Sequence, residues 1–248
     1  MNAPRKAMVL AAGLGTRLRP LTDERPKALV EVAGRTMLEI VLARLRSCGI
    51  HSVIVNAHHH AQRIVDYLVA HRNFGMEIEI SREEELLDTG GGLKQAAEFF
   101  LRDGSQEPFL LHNVDALSTI DLAAMFEQHI AAGALATLAV KPRTSSRQLL
   151  FDHAGYLCGR RAGDDVTWAR EVADPEPLAF CGIHVLSPRI FAQFPDETAF
   201  PIVPVYLHLA SQGERIAAYR ADNNYFRDLG KPESIAAAAQ DIAAGLAV

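Results

Sequence analysis

Four short apolar runs alternate with stretches of helical spacing through the first half of the chain, and this alternation most constrains the fold. The runs Lys6 to Ala12, Ser52 to Val55, Pro108 to His112 and Leu135 to Val140 read as buried strands. Between them, Thr36 to Cys48 places Met37, Ile40, Val41 and Leu45 at helical spacing, and Gly49 follows as a stop. Gln62 to Val69, Gly91 to Phe100 and Asp121 to Ala132 read as further helices, and Met76 to Ile80 alternates like a strand with one wet face. The order predicts an α/β domain with a largely parallel sheet.

The second half is less regular. Gln148 to Gly159 predicts a hairpin turning at Asp152–Gly155, and Leu178 to Leu186 a long strand. A helix over Ile202 to Ser211, strands over Arg215 to Tyr219 and Tyr225 to Leu229, and a closing Ala-rich helix over Glu233 to Ala244 complete the pattern. Residues 160–177 are polar and contain Pro175 and Pro177, so they are expected to form a mobile loop. With no internal repeat or low-complexity linker, 1–248 reads as one domain. Its regular half covers about 1–140 and its less regular half about 141–248.

Composition narrows the partners. The 25 basic and 30 acidic side chains give a net charge of −5, so no general basic field exists to hold nucleic acid. The cysteines Cys48, Cys158 and Cys181 are widely spaced and odd in number, which points to reduced thiols and the cytoplasm. The N-terminus lacks the apolar stretch of a signal peptide, and no apolar run approaches the roughly 18 residues of a membrane span. His58-His59-His60 invites a transition-metal reading, but adjacent histidines cannot all point one way, so a loop entering a helix is the better reading.

After the first strand comes Ala11-Ala12-Gly13-Leu14-Gly15-Thr16-Arg17-Leu18-Arg19-Pro20. Glycines let a backbone turn tightly, and their N–H groups can cradle phosphate oxygens. Arg17, Arg19 and Lys27 add local positive charge to an acidic chain. The string is not a P-loop, which needs G-x-x-x-x-G-K-[ST]. Nor is it a dinucleotide fingerprint: Leu18 stands at the third glycine position, and the second strand ends at Asn56 rather than at an acidic residue.

Leu10 to Lys27, read as L-A-A-G-x-G-T-R-L-x-P with a following P-K, resembles the opening motif of the sugar-1-phosphate nucleotidyltransferases. The resemblance implies a Rossmann-like, GT-A-like α/β fold with a mixed, mostly parallel central sheet flanked by helices. It implies that the loop, with Ala11, Ala12, Gly13, Gly15 and Thr16, wraps an NTP. It makes Arg17 and Lys27 catalytic, Arg17 gripping the leaving pyrophosphate and Lys27 meeting phosphate at the reaction centre.

Asp115 follows the run Phe109-Leu110-Leu111, and Asp228 follows Tyr225-Phe226. An aspartate ending a strand is often a turn or cap residue, but two on neighbouring strand ends could share a metal, and hard carboxylates suit Mg²⁺. Asn113-Val114-Asp115 resembles the family's N-G-D triplet, and Phe226 to Gly230 its W-x-D-x-G segment, so both aspartates are implied as metal ligands and Mg²⁺ as cofactor. Val114 stands where glycine is usual, and Lys231 where threonine is common.

Asp88-Thr89-Gly90-Gly91-Gly92 before a helix is on its own a flexible helix entry or a flat backbone surface. By resemblance Gly90 and Gly91 lie against the nucleobase, and Glu83 reads it by accepting an N–H from uracil, thymine or guanine. Phe180-Cys181-Gly182-Ile183 resembles the sugar-lining F-x-G segment, so Asn113, Gly182 and Glu171 are implied on the sugar, although Glu171-Val172-Ala173 departs from the family's E-K-P. Cys181 has no recognisable basic partner to make it a nucleophile.

The resulting expectation is Mg²⁺-dependent attack of a sugar 1-phosphate oxygen on the NTP α-phosphorus, with UTP favoured and the chain a monomer or homodimer. Within the family, the short chain and D-T-G-G-G look most like the N-acetylmuramate 1-phosphate uridylyltransferases and the mannose- or heptose-type enzymes. Two rivals are a non-catalytic sugar-nucleotide sensor, which would need neither metal aspartate, and transfer to a non-sugar phosphate.

Overall fold

A computed structural model describes residues 6–247. The chain runs β1 (Lys6–Leu10), a hairpin of β2 (Glu31–Val32) and β3 (Arg35–Thr36), α1 (Met37–Ser47), β4 (Ser52–Ala57), α2 (Ala61–Ala70), β5 (Glu77–Arg82), α3 (Asp88–Gln95), α4 (Ala97–Leu101), β6 (Phe109–Asn113), β7 (Ala116–Ser118) and α5 (Leu122–Ala132). It continues through β8 (Ala136–Lys141), β9 (Arg147–Phe151), β10 (Leu157–Ala162), β11 (Asp165–Trp168), β12 (Glu176–Leu186), α6 (Ile202–Ser211), β13 (Ile216–Arg220), β14 (Phe226–Asp228) and α7 (Pro232–Ala243).

Across the main sheet the order is β5-β4-β1-β6-β12-β8-β13, with β12 alone reversed. This is the mixed, mostly parallel α/β sheet expected. The chain steps outward from β1 to β4 and β5, then returns to the other side of β1 for β6. Such a reversal opens a crevice at the carboxyl ends of the strands, the usual ligand position in an open α/β sheet.

Local signals explain the flanking helices. Thr36 caps α1 by accepting the Glu39 N–H at 3.1 Å, Glu39 stands at the capping-box position, and the chain leaves through Gly49 at φ +78°. Asp121 caps α5 by accepting the Ala124 N–H at 3.0 Å, and Gly133 ends it at φ +54°. The sheet is buried on both faces. Ala7 and Val9 pack into one apolar cluster with α1, and Met8 packs into the other with Phe99, Phe109 and Tyr206. Burying each large side chain of this kind contributes about 1.5–3 kcal/mol.

Two expectations are corrected. Residues 160–177 are not one loop: β10 continues to Ala162 and β11 follows, so that only 169–175 forms a long irregular connection before β12 begins at Glu176. The segment belongs to an antiparallel arm, β9-β10-β11, attached to the main sheet through β12. Its residues looked loop-like because β11 is exposed along its whole length. The single helix over 91–100 is two, α3 and α4, broken at Ala96.

Candidate active site

The glycine loop leaves β1 and folds back on itself. Gly15 sits at φ +65°, and a Cβ there would lie 2.9 Å from Thr22 Cγ2 and 3.1 Å from Lys27 Cβ. Glycine is therefore required both for the left-handed backbone and for the close approach. Thr22 donates its hydroxyl to the Gly15 carbonyl at 2.8 Å, which fixes the fold-back and sets Lys27 beside the loop. Gly13 faces open space, and Thr16 and Arg17 are exposed.

The two aspartates meet. β14 pairs antiparallel with β7, Asp228 opposite Ala116, and the Leu229 N–H donates to the Asp115 carbonyl at 2.9 Å. Asp115 is half-buried and ion-paired with Lys27. Asp228 Oδ1 accepts the Gly230 N–H at 2.7 Å. A Cβ at Gly230 would lie 2.7 Å from both Arg17 Nη2 and Asp228 Oδ1, so only glycine lets that guanidinium and that carboxylate crowd one point. The segment after β1 thus sets Lys27 against Asp115 and Arg17 beside Asp228, three parts of the chain in all.

Two adjoining cavities flank this point. The first, of about 310 Å³, is lined by Ala11, Ala12, Gly13, Lys27, Asn56 and Glu83. The second, of about 650 Å³, is lined by Asp228, Phe180, Gly182, the first turn of α6 and the arm. Asp88, Thr89, Asn113 and Asp115 line both. Gly182 sits at φ +70° where β12 bulges between Phe180 and His184, and a Cβ there would be 2.6 Å from Asn113 Nδ2.

Glu83 lies at the first cavity but is engaged within the protein. It is only 5% exposed; Oε1 accepts from Asn56 Nδ2 at 2.6 Å, and Oε2 accepts the Leu87 N–H at 3.0 Å. Asn56 Oδ1 in turn accepts the Ala11 N–H at 2.6 Å. The chain of bonds ties the carboxylate to the start of the glycine loop. Each carboxylate oxygen retains a second lone pair for a ligand N–H.

Other expected residues lie elsewhere. Gly90 and Gly91 are buried against the segment before α6, both N–H groups donating to the Phe200 carbonyl at 2.9 and 3.1 Å, and neither lines a cavity. Their lack of a side chain serves packing: a Cβ would lie 2.3 Å from the Phe200 ring or 2.2 Å from the Thr198 carbonyl. Asp88 and Thr89 face the cavities in their place. Glu171 is exposed and lines neither cavity. Lys231 is exposed at the start of α7, and Val114 is buried with its N–H donating to the Leu10 carbonyl at 3.1 Å.

The alternative chemistries find no support. Burial pushes the Cys181 thiol up to about 11, away from thiolate reactivity. His58 Nδ1 is bonded to the Glu83 carbonyl at 2.9 Å, and among the described residues no group of three or more His, Cys, Asp or Glu is placed to cage a metal. No helix of the described residues is long and apolar enough to cross a membrane. The arginines of the second cavity, Arg143, Arg147, Arg160 and Arg161, were missed. The Arg160-Arg161 doublet inside a segment read as loop was the available signal.

Comparison with known proteins agrees with this geometry. The nucleotidyl transferase family model matches residues 6–149. The chain is 33% identical over 242 residues to N-acetylmuramate alpha-1-phosphate uridylyltransferase of Caulobacter vibrioides, covering 96% of each chain. It is 33% identical over 162 residues to D-glycero-alpha-D-manno-heptose 1-phosphate guanylyltransferase of Aneurinibacillus thermoaerophilus, covering 61% of this chain and 68% of that one. The crystal structure of HddC from Yersinia pseudotuberculosis complexed with GMP-PN superposes with a TM-score of 0.77 at 21% identity, covering 96% of this chain and 99% of that one. The motif that opens the sequence, the fold and these matches agree: the chain belongs to the sugar-1-phosphate nucleotidyltransferase family.

Proposed function

We propose that this protein transfers a uridylyl group from UTP to an amino sugar 1-phosphate, releasing pyrophosphate. The observation that carries the reading is the placing of Asp115, Asp228 and Lys27 on the walls of two adjoining cavities, with the Arg17 guanidinium beside Asp228. The smaller cavity, with the glycine loop, takes the NTP; the larger takes the acceptor.

A phosphate oxygen of the acceptor attacks the α-phosphorus, a new P–O bond forms, and the bond to the β-phosphate oxygen breaks with its electron pair leaving on pyrophosphate. The attacking oxygen is already anionic, so no general base is required, and the protein's work is alignment and charge neutralisation. Lys27 meets phosphate at the reaction centre, and Arg17 holds the departing pyrophosphate. Gly13, open towards the smaller cavity, lets the triphosphate approach the backbone, and Gly15 lets the loop fold back behind it. Asn113 and Gly182 form the wall against which the acceptor sugar rests.

Asp115 and Asp228 fit Mg²⁺: two hard carboxylates on paired strand ends, with the remaining coordination left to phosphates and water. When bound there, the ion supplies neutralisation of phosphate charge.

Uracil is supported by Glu83, whose free lone pairs accept an N–H and repel an acceptor, and by the full-length match to the Caulobacter enzyme. The second reading is guanylyl transfer, since guanine also presents an N–H and the Aneurinibacillus relative carries that activity in its name. Pyrophosphate release, measured for each NTP against N-acetylmuramate, N-acetylglucosamine, mannose and heptose 1-phosphates, separates the two. Release with UTP and an amino sugar 1-phosphate, lost in Asp115→Asn, is expected; release with GTP alone replaces uridylyl by guanylyl transfer.

A further inference from the structure

The far wall of the larger cavity is built from the β9-β10 arm and the turn before it, and it carries Arg143, Arg147, Arg160 and Arg161. None is in an ion pair among the described residues. The acids lining the same cavity are Asp88, Asp115 and Asp228, and none of them is paired with the arm.

Strand register puts two of these cations on one face. Arg160 pairs with Leu149, and Ala162 with Arg147, so Arg147 and Arg160 are diagonal neighbours. Side chains at diagonal positions are within reach of a common partner, and no carboxylate among the described residues pairs with either. Arg143 lies over the Phe226 ring at 5.0 Å and donates to the Phe180 carbonyl at 3.0 Å, yet its Nε is buried without a partner. Arg161 reaches only the neutral Gln148, at 2.6 Å.

In the proposed reaction the acceptor's anomeric phosphate already meets Lys27 and the ion that Asp115 and Asp228 fit, at the junction of the cavities. The arm's positive charge is surplus to a sugar 1-phosphate that is otherwise neutral. Guanidinium forks match carboxylate or phosphate oxygens in bidentate fashion.

We infer that Arg147 and Arg160, with Arg143 beside them, form a binding site for a second anionic group on the acceptor, a carboxylate or phosphate carried on the sugar away from its anomeric phosphate. This rests on the acceptor reading of the larger cavity proposed above. It makes the arm the part of the protein that selects acidic over neutral sugar 1-phosphates.

The test is calorimetric titration of the whole chain, with α,β-imido-UTP and Mg²⁺ present, using matched acceptors. Glucose 1-phosphate is compared with glucuronic acid 1-phosphate and glucose 1,6-bisphosphate, and N-acetylglucosamine 1-phosphate with N-acetylmuramate 1-phosphate. The carboxylate and phosphate members distinguish the two anions. At least one doubly anionic member should bind tenfold or more tightly than its neutral match. That ratio should collapse in Arg147→Ala/Arg160→Ala and persist in the remote control Arg102→Ala. A ratio below tenfold for every pair in the wild-type chain, or one kept by the double variant, overturns the inference. Pyrophosphate release is read separately: silence with every NTP and acceptor overturns the transfer reaction, while the binding ratio still decides the second-anion site.

Discussion

Lys27 and Asp115 form an ion pair in which the cation implied to meet phosphate rests on a carboxylate implied to hold the metal. On the proposed roles the two functions compete for one carboxylate, and incoming phosphate would draw Lys27 away from Asp115. Lys27→Ala should lower kcat by ~10²-fold or more, about 2.7 kcal/mol of barrier. The same variant should bind Mn²⁺ more tightly than wild type without nucleotide, measured by paramagnetic resonance titration. Unchanged kcat together with weaker Mn²⁺ binding would dissociate Lys27 from both roles.

Asp115→Asn keeps the shape of the side chain but removes the charge. Turnover should fall by at least ~10²-fold, while circular dichroism and melting temperature stay close to wild type. Near-normal kinetics in a folded protein would remove Asp115 from the machinery.

Gly182 and Asn113 are packed so closely that an added methyl group collides. Gly182→Ala would place Cβ 2.6 Å from Asn113 Nδ2 on a backbone at φ +70°. The left-handed conformation alone costs about 1–2 kcal/mol, and Asn113 must move. Unfolding by urea should show the loss, and the acceptor KM should rise more than the UTP KM.

Asn56 and Glu83 act as one unit. Asn56→Ala leaves the Ala11 N–H without its side-chain acceptor and Glu83 Oε1 without its donor; Glu83→Ala leaves Asn56 Nδ2 and the Leu87 N–H bare. Each substitution should cost about 1–3 kcal/mol. In the double variant the two costs should sum to less than their parts. Strict additivity in denaturant titrations would show that the bonds act independently.

Burial dominates the titration of three internal histidines, pushing His112 and His129 down to about 4 and His184 down to about 3. They are neutral when folded and take up protons on unfolding below about 6.5. Their contribution to stability is present above that pH and is lost as the pH falls toward 4 and 3. Urea midpoints should therefore drop between pH 7 and pH 5. A folded His129→Gln variant should flatten the slope by up to about 1.4 kcal/mol per pH unit, one proton's worth.

The parallel half of the fold was legible because each element carried its own signal: an apolar run for β1, a capping box and terminal glycine for α1, an N-cap aspartate and αL glycine for α5. Asp115 and Asp228 were legible as candidates for the same reason, each following a recognisable run. β7 and β14 have three residues each, too few to show a period, so the pairing that joins the aspartates was visible only as a possibility. The arm's first hairpin was legible at Asp152–Gly155, but its outer part, 160–177, was read as a loop because β11 buries nothing and alternation had no apolar face to mark. Gly90 and Gly91 were misplaced because the sequence reports that a side chain is missing but not whether ligand or protein fills the space. Phe200, far along the chain, fills it.

The eleven residues of β12 serve two structures in succession. The first three pair with β9 of the arm, and the later ones pair with β6 and β8, the Gly182 bulge interrupting the β8 pairing. The main sheet and the arm therefore share one strand, and the arm is locked to the body a second time, through the Tyr156–Ala217 bridge and the burial of Leu149, Phe151 and Leu157 in the core. Its outward residues, Arg147 and Arg160 among them, carry none of that packing. On the proposed acceptor reading, that cavity-facing set could diverge while the buried set keeps the arm in place.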